Sequence, residues 1–291
     1  MIKKLDSFSR DLILVKGIKS HPVVGDHNCI VQNCSQSLNI INEMESKIIF
    51  LIGPIGYGKS TTGCTLLRKR NAFTSGSDIQ RVTGVLRSQV GTNGMLVIDS
   101  PGVGDASDDT VFQEQFLKNK NYLLNILPID AFILIIKFDE NQSGGFFLAA
   151  QQYFRYFGRM GIKSLMILCI QGNPKRIYSN EDFRKIFLTT DGYKFLLEKN
   201  DGIEIPYCLW DNFNSAYYND QEEEFRNKLN NLQKIDQIRF QYICDMLEND
   251  INRIKESQQK DEIIRKLNAK IVNGKEKVPT LISNFGRDKF L

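Results

Sequence analysis

A glycine-rich segment, "FLIGPIGYGKSTTG" at positions 50–63, constrains this chain more than any other feature. The stretch from Gly53 to Ser60 matches G-x-x-x-x-G-K-[ST] without a departure. In such a loop successive backbone N–H groups point at phosphates, the lysine ammonium reaches the terminal phosphates, and the serine hydroxyl coordinates Mg²⁺. The alternative is an ordinary glycine turn with a surface lysine. The apolar strand before the segment and the helix predicted after it favour the phosphate-binding loop.

The motif therefore predicts the residues that contact a bound nucleotide. They are Gly53, Ile55, Gly56, Tyr57, Gly58, Lys59, Ser60 and Thr61.

A second motif, "MLVIDSPGVGD" at positions 95–105, also follows an apolar strand. Asp99 ends that strand, where a carboxylate can hold a water of the Mg²⁺ shell, and Gly102 can offer its N–H to a γ-phosphate. Alone, D-x-P-G is often just a turn after a strand. After a phosphate-binding loop it supplies the metal-side carboxylate that the first motif lacks, so Ser60 and Asp99 are both predicted metal ligands.

Strand and helix patterns alternate along the chain from Lys47 onward. The predicted strands are 47–52, 95–99, 131–138, 163–170 and 204–210, and the predicted helices are 59–70, 109–126, 146–160 and 181–199. Several strands are apolar on both faces, which indicates a parallel sheet covered on both sides. We expect a doubly wound, mostly parallel α/β fold of the P-loop NTPase class, with ligands at the carboxyl ends of the strands.

The chain divides into three predicted parts: an N-terminal extension (1–46), a P-loop nucleotide-binding domain (47–218) and an amphipathic helical C-terminal extension (219–291). One apolar stripe at spacings of mostly three and four predicts an amphipathic helix in the last part, and a second piece around "IIRKLNAKIV" continues the pattern to Gly274. The members of the stripe are Phe225, Leu229, Leu232, Ile235, Ile238, Tyr242, Met246, Ile251 and Ile254. The stripe either packs on the domain or a neighbouring helix, or binds a partner, including a second copy in a coiled coil.

Composition limits the other classes of function. The net charge of +4 over 291 residues is small and the charges are interleaved, so nothing demands a nucleic-acid partner. Six cysteines without a C-x-x-C pair and only two histidines argue against a zinc site and indicate a reducing compartment. The longest apolar runs are far shorter than the roughly 20 residues of a spanning helix. We expect a cytoplasmic protein.

Four segments together resemble the G domain of the immunity-associated nucleotide-binding GTPases, the GIMAP or IAN family, which is akin to the septin and chloroplast-import GTPases. They are "FLIGPIGYGKSTTGCTLLRKRNAF", "VIDSPGVGD", "AFILIIKFDENQSG" and "YCLWDN", within residues 47–255. The resemblance implies a switch protein that binds GTP or GDP with Mg²⁺, hydrolyses GTP slowly and forms homodimers or oligomers in the GTP state. It also implies peripheral association with a membrane.

The same resemblance assigns further residues. Thr83 falls on the switch threonine that joins the Mg²⁺ shell, and Asn212 falls on the asparagine that lies against guanine. Asn173 stands where the base-contacting aspartate is usual, and a neutral amide weakens a charge-assisted bond, so the choice between guanine and adenine stays open. Val103 follows Gly102 and cannot orient an attacking water, so no catalytic residue is assigned.

Two other functions use the same loop. A kinase would transfer the phosphoryl group to a small substrate, although no arginine-rich lid is apparent. A nucleotide-binding scaffold would hold the ligand without turnover, which the residues Val103 and Asn173 leave open.

Overall fold

The computed structural model describes residues 47–73, 85–103, 110–138, 143–171, 180–212 and 218–272. These residues form a six-stranded sheet in the order β2-β3-β1-β4-β5-β6. The strands are β1 (Lys47–Ile52), β2 (Arg87–Val90), β3 (Met95–Asp99), β4 (Ala131–Phe138), β5 (Leu165–Gln171) and β6 (Tyr207–Trp210). Neighbouring strands are parallel except β2 and β3, which are antiparallel. The predicted mostly parallel sheet is confirmed.

Helices cover both faces of this sheet. They are α1 (Lys59–Leu66), α2 (Val111–Lys118), α3 (Lys120–Asn125), α4 (Ser143–Ile162), α5 (Asn180–Thr189), α6 (Asp191–Lys199), α7 (Tyr218–Asn230) and α8 (Gln237–Val272). Successive strand residues point to opposite faces, so β1 sends Phe50 into one core and Leu51 into the other. The first core lies under α2 to α6 and α8, and the second lies under α1 and α7. This double winding confirms the predicted fold class.

The strand β2 was not predicted from the sequence. Its four residues, "RSQV", are mostly polar and all half-buried, because β2 is an edge strand that receives its order from antiparallel pairing with β3. Two predicted helices are each divided in the structure. The helix expected at 109–126 breaks at Asn119, whose side-chain Nδ2 donates to the Gln115 carbonyl at 2.8 Å. The helix expected at 181–199 breaks at Thr190, which has an extended backbone.

The predicted C-terminal helical extension is confirmed, but the prediction that its apolar stripe lies on one helix is wrong, since two helices carry the stripe and cover opposite faces of the sheet. In α7, Phe225 and Leu229 enter the second core, whereas Phe240 and Leu247 of α8 enter the first. Between the helices the chain crosses the amino end of the sheet, where Ile235 forms an antiparallel bridge with Ile129. This crossing changes which side of the helical pattern faces the domain.

The crossing also corrects the composition of the stripe. Ile238 and Tyr242, two predicted members, are 78% and 42% exposed, while Ile251 is buried. Packing on the domain therefore accounts for part of the stripe. Beyond Ile251, α8 continues with mostly exposed residues up to the last described side chain, Ala269. The division of the chain at 218/219 stays a prediction. Among the helices that the structure describes, none is both long enough and apolar enough to cross a membrane.

Candidate functional site

The loop between β1 and α1 is held open by glycines. Gly58 is the N-cap residue of α1 with φ +87°, a conformation that a side chain disfavours, and it offers no side-chain cap to the helix. A Cβ on Gly53 would collide with the carbonyl oxygen of Ile135 in β4. Without a side chain at Gly53, the loop backbone packs directly against β4. The first backbone amides of α1 are then directed at the loop. Such an arrangement suits an anion.

Lys59 is folded back over this loop. Its Nζ donates to the carbonyl oxygens of Gly53 at 2.9 Å and Pro54 at 3.0 Å, and the side chain is buried. Burial lowers the pKa of Lys59 to about 8, and the charge of Asp99 opposes that shift. A buried ammonium that donates to two carbonyl oxygens favours a neighbouring anion, because an anion restores the solvation that burial removes.

Ser60 and Asp99 meet at the carboxyl ends of the central strands. The Ser60 hydroxyl donates to Asp99 Oδ2 at 2.7 Å, and Asp99 is fully buried at the end of β3 opposite Leu51 of β1. Hydroxyl and carboxylate oxygens are the hard ligands that Mg²⁺ prefers, directly or through water. The two predicted metal ligands are thus brought together, and their donor set fits a magnesium ion.

The second motif lies directly on the loop. Gly102 packs against Ile55 so closely that a Cβ would collide with its side chain and lie 2.9 Å from its backbone nitrogen. The next residue, Val103, donates its N–H to the Gly53 carbonyl at 3.1 Å, and its side chain is buried. Gly102 is therefore next to the loop, and its contact with a γ-phosphate stays a prediction. A buried valine side chain leaves Val103 unable to hold a water.

Asn212 lies on the other flank of the loop, at the end of β6. Its Nδ2 donates to Thr62 Oγ1 at 3.1 Å, and its Oδ1 accepts from Thr65 Oγ1 at 3.0 Å. Trp210 Nε1 in turn donates to Thr65 Oγ1 at 3.1 Å. The same Nδ2 is 3.8 Å from where a Cβ on Gly58 would be, so Asn212 is brought to the start of α1.

Sequence reasoning missed Thr62 and Thr65. The available signal was their spacing, since residues three apart on a helix share a face and these follow the phosphate motif directly. Of the other predicted residues, Tyr57 places its hydroxyl against Gly145 of α4 and Thr61 is a half-buried residue of α1. Thr83 and Asn173 lie outside the described residues.

Comparison with known proteins finds one family and a set of distant structures. Toc33 from Arabidopsis thaliana in complex with Mg²⁺ and GMPPNP is 15% identical, with 71% of this chain and 93% of that one covered and a TM-score of 0.48. Toc33 with GDP and Mg²⁺ is 15% identical, with the same coverage of the two chains and a TM-score of 0.45. Era in complex with MgGDPNP and a segment of 16S ribosomal RNA is 15% identical, with 65% of this chain and 58% of that one covered and a TM-score of 0.41. No curated protein gives a significant match.

The family comparison covers most of the molecule. The model of the AIG1 family matches residues 47–267, from the first residue of β1 into the second half of α8. That range contains the phosphate loop, the second motif and Asn212. The chain therefore belongs to the AIG1 family, in agreement with the predicted resemblance to the GIMAP or IAN G domain.

Proposed function

We propose that this protein is a guanine-nucleotide switch that binds GTP with Mg²⁺, hydrolyses it slowly and associates with a second copy in the GTP state. The observation that carries the proposal is the convergence of the Lys59 ammonium, the Ser60 hydroxyl and the buried Asp99 carboxylate at one edge of the sheet. Lys59 binds the terminal phosphates, while Ser60 and Asp99 would hold Mg²⁺. When bound, that ion neutralises charge on the phosphate oxygens. Membership of the AIG1 family supports this assignment.

Slow turnover is proposed from the surroundings of Val103. The residue after Gly102 is where an orienting side chain would help an attacking water, and the buried valine has no polar group to offer. The same observation favours a second candidate, a scaffold that binds nucleotide without hydrolysing it. Release of phosphate from GTP, measured on the purified protein, separates the two.

Removing the loop lysine tests nucleotide binding. We expect Lys59→Ala to weaken binding of GMPPNP with Mg²⁺ about 100-fold in calorimetry, because a charge-assisted phosphate contact is lost. The variant should not unfold more easily near neutral pH, because the buried, charged Lys59 itself disfavours the folded state. Lys69→Ala is the matched control, because Lys69 is exposed and its Nζ donates to the Gln89 side chain at a long 3.4 Å. Equal affinity of Lys59→Ala and the native protein for GMPPNP would show that the nucleotide does not bind at this loop.

Self-association is tested separately. A neighbouring copy packed across the nucleotide face would supply the catalytic help that Val103 does not, so the specific rate of GTP hydrolysis should rise with protein concentration. Light scattering should show a larger species with GMPPNP than with GDP. A monomer in both states with a constant specific rate would contradict this part of the proposal. Location in the cytoplasm, peripheral membrane association and the absence of a nucleic-acid partner stay predictions.

A further inference from the structure

We propose that Thr65, assisted by Thr62, is a positioning residue for the nucleobase: it fixes the Asn212 amide and so sets the preference among bases. The inference rests on the proposed nucleotide site and deepens it. Helix α1 then has two roles: its first residues line the proposed phosphate site, and Thr62 and Thr65, at the end of the first turn and in the second, carry the hydroxyls that hold Asn212.

The arrangement is a chain of hydrogen bonds from β6 to α1. The indole Nε1 of Trp210 donates to Thr65 Oγ1, Thr65 Oγ1 contacts Asn212 Oδ1, and Asn212 Nδ2 donates to Thr62 Oγ1. Trp210 is only 1% exposed, Asn212 only 8% and Thr62 not at all. Both ends of the Asn212 amide are thereby tied to the helix that begins at the phosphate loop.

Ordinary helix packing does not explain this network. A threonine hydroxyl in a helix commonly bonds a carbonyl in the preceding turn, and Thr65 Oγ1 lies 2.9 Å from the Thr62 carbonyl oxygen, so its one proton is shared between that oxygen and Asn212 Oδ1. Thr189 of α5 makes the same bond to the Ile186 carbonyl at 2.7 Å on an exposed surface. What distinguishes Thr65 is its contact with Trp210 and Asn212. Valine would fill nearly the same space as threonine, so packing beside the apolar core formed by Trp210 and Phe225 does not explain why position 65 has a hydroxyl.

Preorganisation explains what the network achieves. A side chain that is already fixed loses less conformational entropy on binding than a mobile one, so each contact with the base yields more discrimination. Because the constraint comes from α1, the amide is also held at a defined distance from the phosphate loop. Loosening it should reduce recognition of the base and leave recognition of the phosphates nearly intact.

The experiment compares three ligands, each with Mg²⁺: GDP, ADP and inorganic tripolyphosphate. Calorimetry on the full chain would use Thr65→Val, Thr65→Ser, Thr62→Val and the control Thr189→Val. We expect Thr65→Val to bind GDP about 10-fold more weakly, the effect of losing one partly buried hydrogen bond, while its affinity for tripolyphosphate changes less than about 2-fold. The ratio of GDP to ADP affinity should move toward one. Thr62→Val should show the same pattern, Thr65→Ser should restore the ratio, and Thr189→Val should match the native protein.

Trp210 supplies a second measurement, because it is the only tryptophan in the chain. Its fluorescence should shift in Thr65→Val without any ligand, since its hydrogen-bond acceptor is removed. In the native protein the emission should respond to GDP more than to tripolyphosphate.

The outcomes separate this inference from the function on which it rests. If Thr65→Val keeps the native ratio of GDP affinity to ADP affinity, or if its affinities for GDP and tripolyphosphate fall equally, the positioning role is overturned. The proposed phosphate site is unaffected by either result. If the native protein binds tripolyphosphate and both diphosphates alike, there is no base preference to position and the inference also fails. If the folded native protein binds none of the three, the proposed function itself fails.

Discussion

The two ends of the sheet each bury a carboxylate, and the two carboxylates have different partners. At the amino end, Asp130 precedes β4, accepts the Ile48 N–H at 2.8 Å and pairs with Lys234 at 2.9 Å and Lys47 at 3.7 Å. At the carboxyl end, Asp99 accepts the Ser60 hydroxyl at 2.7 Å and lies near the Lys59 charge. Both carboxylates are at most 4% exposed.

The difference teaches how to distinguish a structural acid from a functional one. The partners of Asp130 are a backbone amide of β1 and lysines on segments that the fold must join, so its contacts are satisfied by folding itself. The partners that we describe for Asp99 are side chains of the phosphate motif, and a metal ion can replace a hydroxyl donor at such a carboxylate. Burial of charge alone therefore does not mark a site.

Removing the amino-end carboxylate should have the largest effect on folding. Asp130→Ala leaves the buried Ile48 N–H without its acceptor, so we expect it to lower the free energy of unfolding by about 3 kcal/mol. Denaturant titration measures this. Glu181→Ala, which removes an exposed pair with Lys185, is the control and should cost less than about 0.5 kcal/mol. Under conditions in which Asp130→Ala is folded, its affinity for GMPPNP should equal that of the native protein. A loss of affinity in the folded variant would contradict the view that the amino-end carboxylate is structural and the carboxyl-end one is functional.

Removing the carboxyl-end charge should affect ligand binding instead. We expect Asp99→Asn to bind GMPPNP with Mg²⁺ about 30-fold more weakly, roughly 2 kcal/mol, because the metal-side carboxylate is lost while an amide oxygen still accepts from Ser60. Stability without ligand should change little. The measurement is calorimetry with and without EDTA. An equal loss in both conditions would show that Asp99 does not act through the metal.

A third acid sharpens the contrast from the amino end. Glu222 of α7 accepts from Arg226 Nε at 2.9 Å, Arg68 Nε at 2.8 Å and Asn93 Nδ2 at 3.2 Å. Burial favours its neutral form, but the bonds from Arg226 and Arg68 outweigh burial and hold the pKa of Glu222 below its ordinary value.

We therefore expect Glu222→Gln to lower the free energy of unfolding by about 1 kcal/mol near neutral pH. A carboxyl with a lowered pKa in the folded state stabilises above its ordinary pKa and loses that contribution as pH falls through the folded value. The gap between native and variant should thus close in acid. Unfolding curves from pH 7 to about two pH units below the ordinary carboxyl pKa test this, and a constant gap would rule out the ionic explanation.

The sequence predicted the parallel strands and the phosphate loop because both depend on local patterns. Strands β1, β3 and β4 match their predicted bounds, since continuous apolar runs are diagnostic when both faces are buried. The break between α7 and α8 could not be predicted, because the apolar spacing continues through Leu232 and Ile235 without a proline or glycine. Distant contacts end the pattern there, among them the bridge from Ile235 to Ile129 and the hydrogen bonds of Gln233 with Lys163 and Ser164.

The candidate site was predictable to the same extent. Lys59, Ser60 and Asp99 belong to motifs with a fixed spacing, so their convergence followed from the fold. Thr65 gave no comparable signal, because a hydroxyl in a helix normally bonds its own backbone. Its role depends on Trp210 and Asn212, which are about 145 residues away in sequence and meet it only in the folded chain.

The smallest expected effect concerns the charge of Lys59 at the carboxyl end. Burial lowers the pKa of this lysine to about 8, against the opposing charge of Asp99, so part of the free protein loses the ammonium in mildly alkaline solution. Because phosphate binding needs that charge, GDP affinity should fall about threefold between pH 7 and pH 8.5.

The stability of the ligand-free protein should change in the opposite direction. A buried lysine with a lowered pKa disfavours the folded state while it is charged, so the free energy of unfolding should rise as pH increases from about 8 toward 10.5. Calorimetry and unfolding curves across this range measure both trends. Lys59→Arg keeps its charge throughout and should show neither, since a guanidinium does not titrate there. A native affinity that stays constant from pH 7 to pH 8.5 would mean that Lys59 remains fully charged, and the carboxyl end would then be no more sensitive to pH in this range than the amino end.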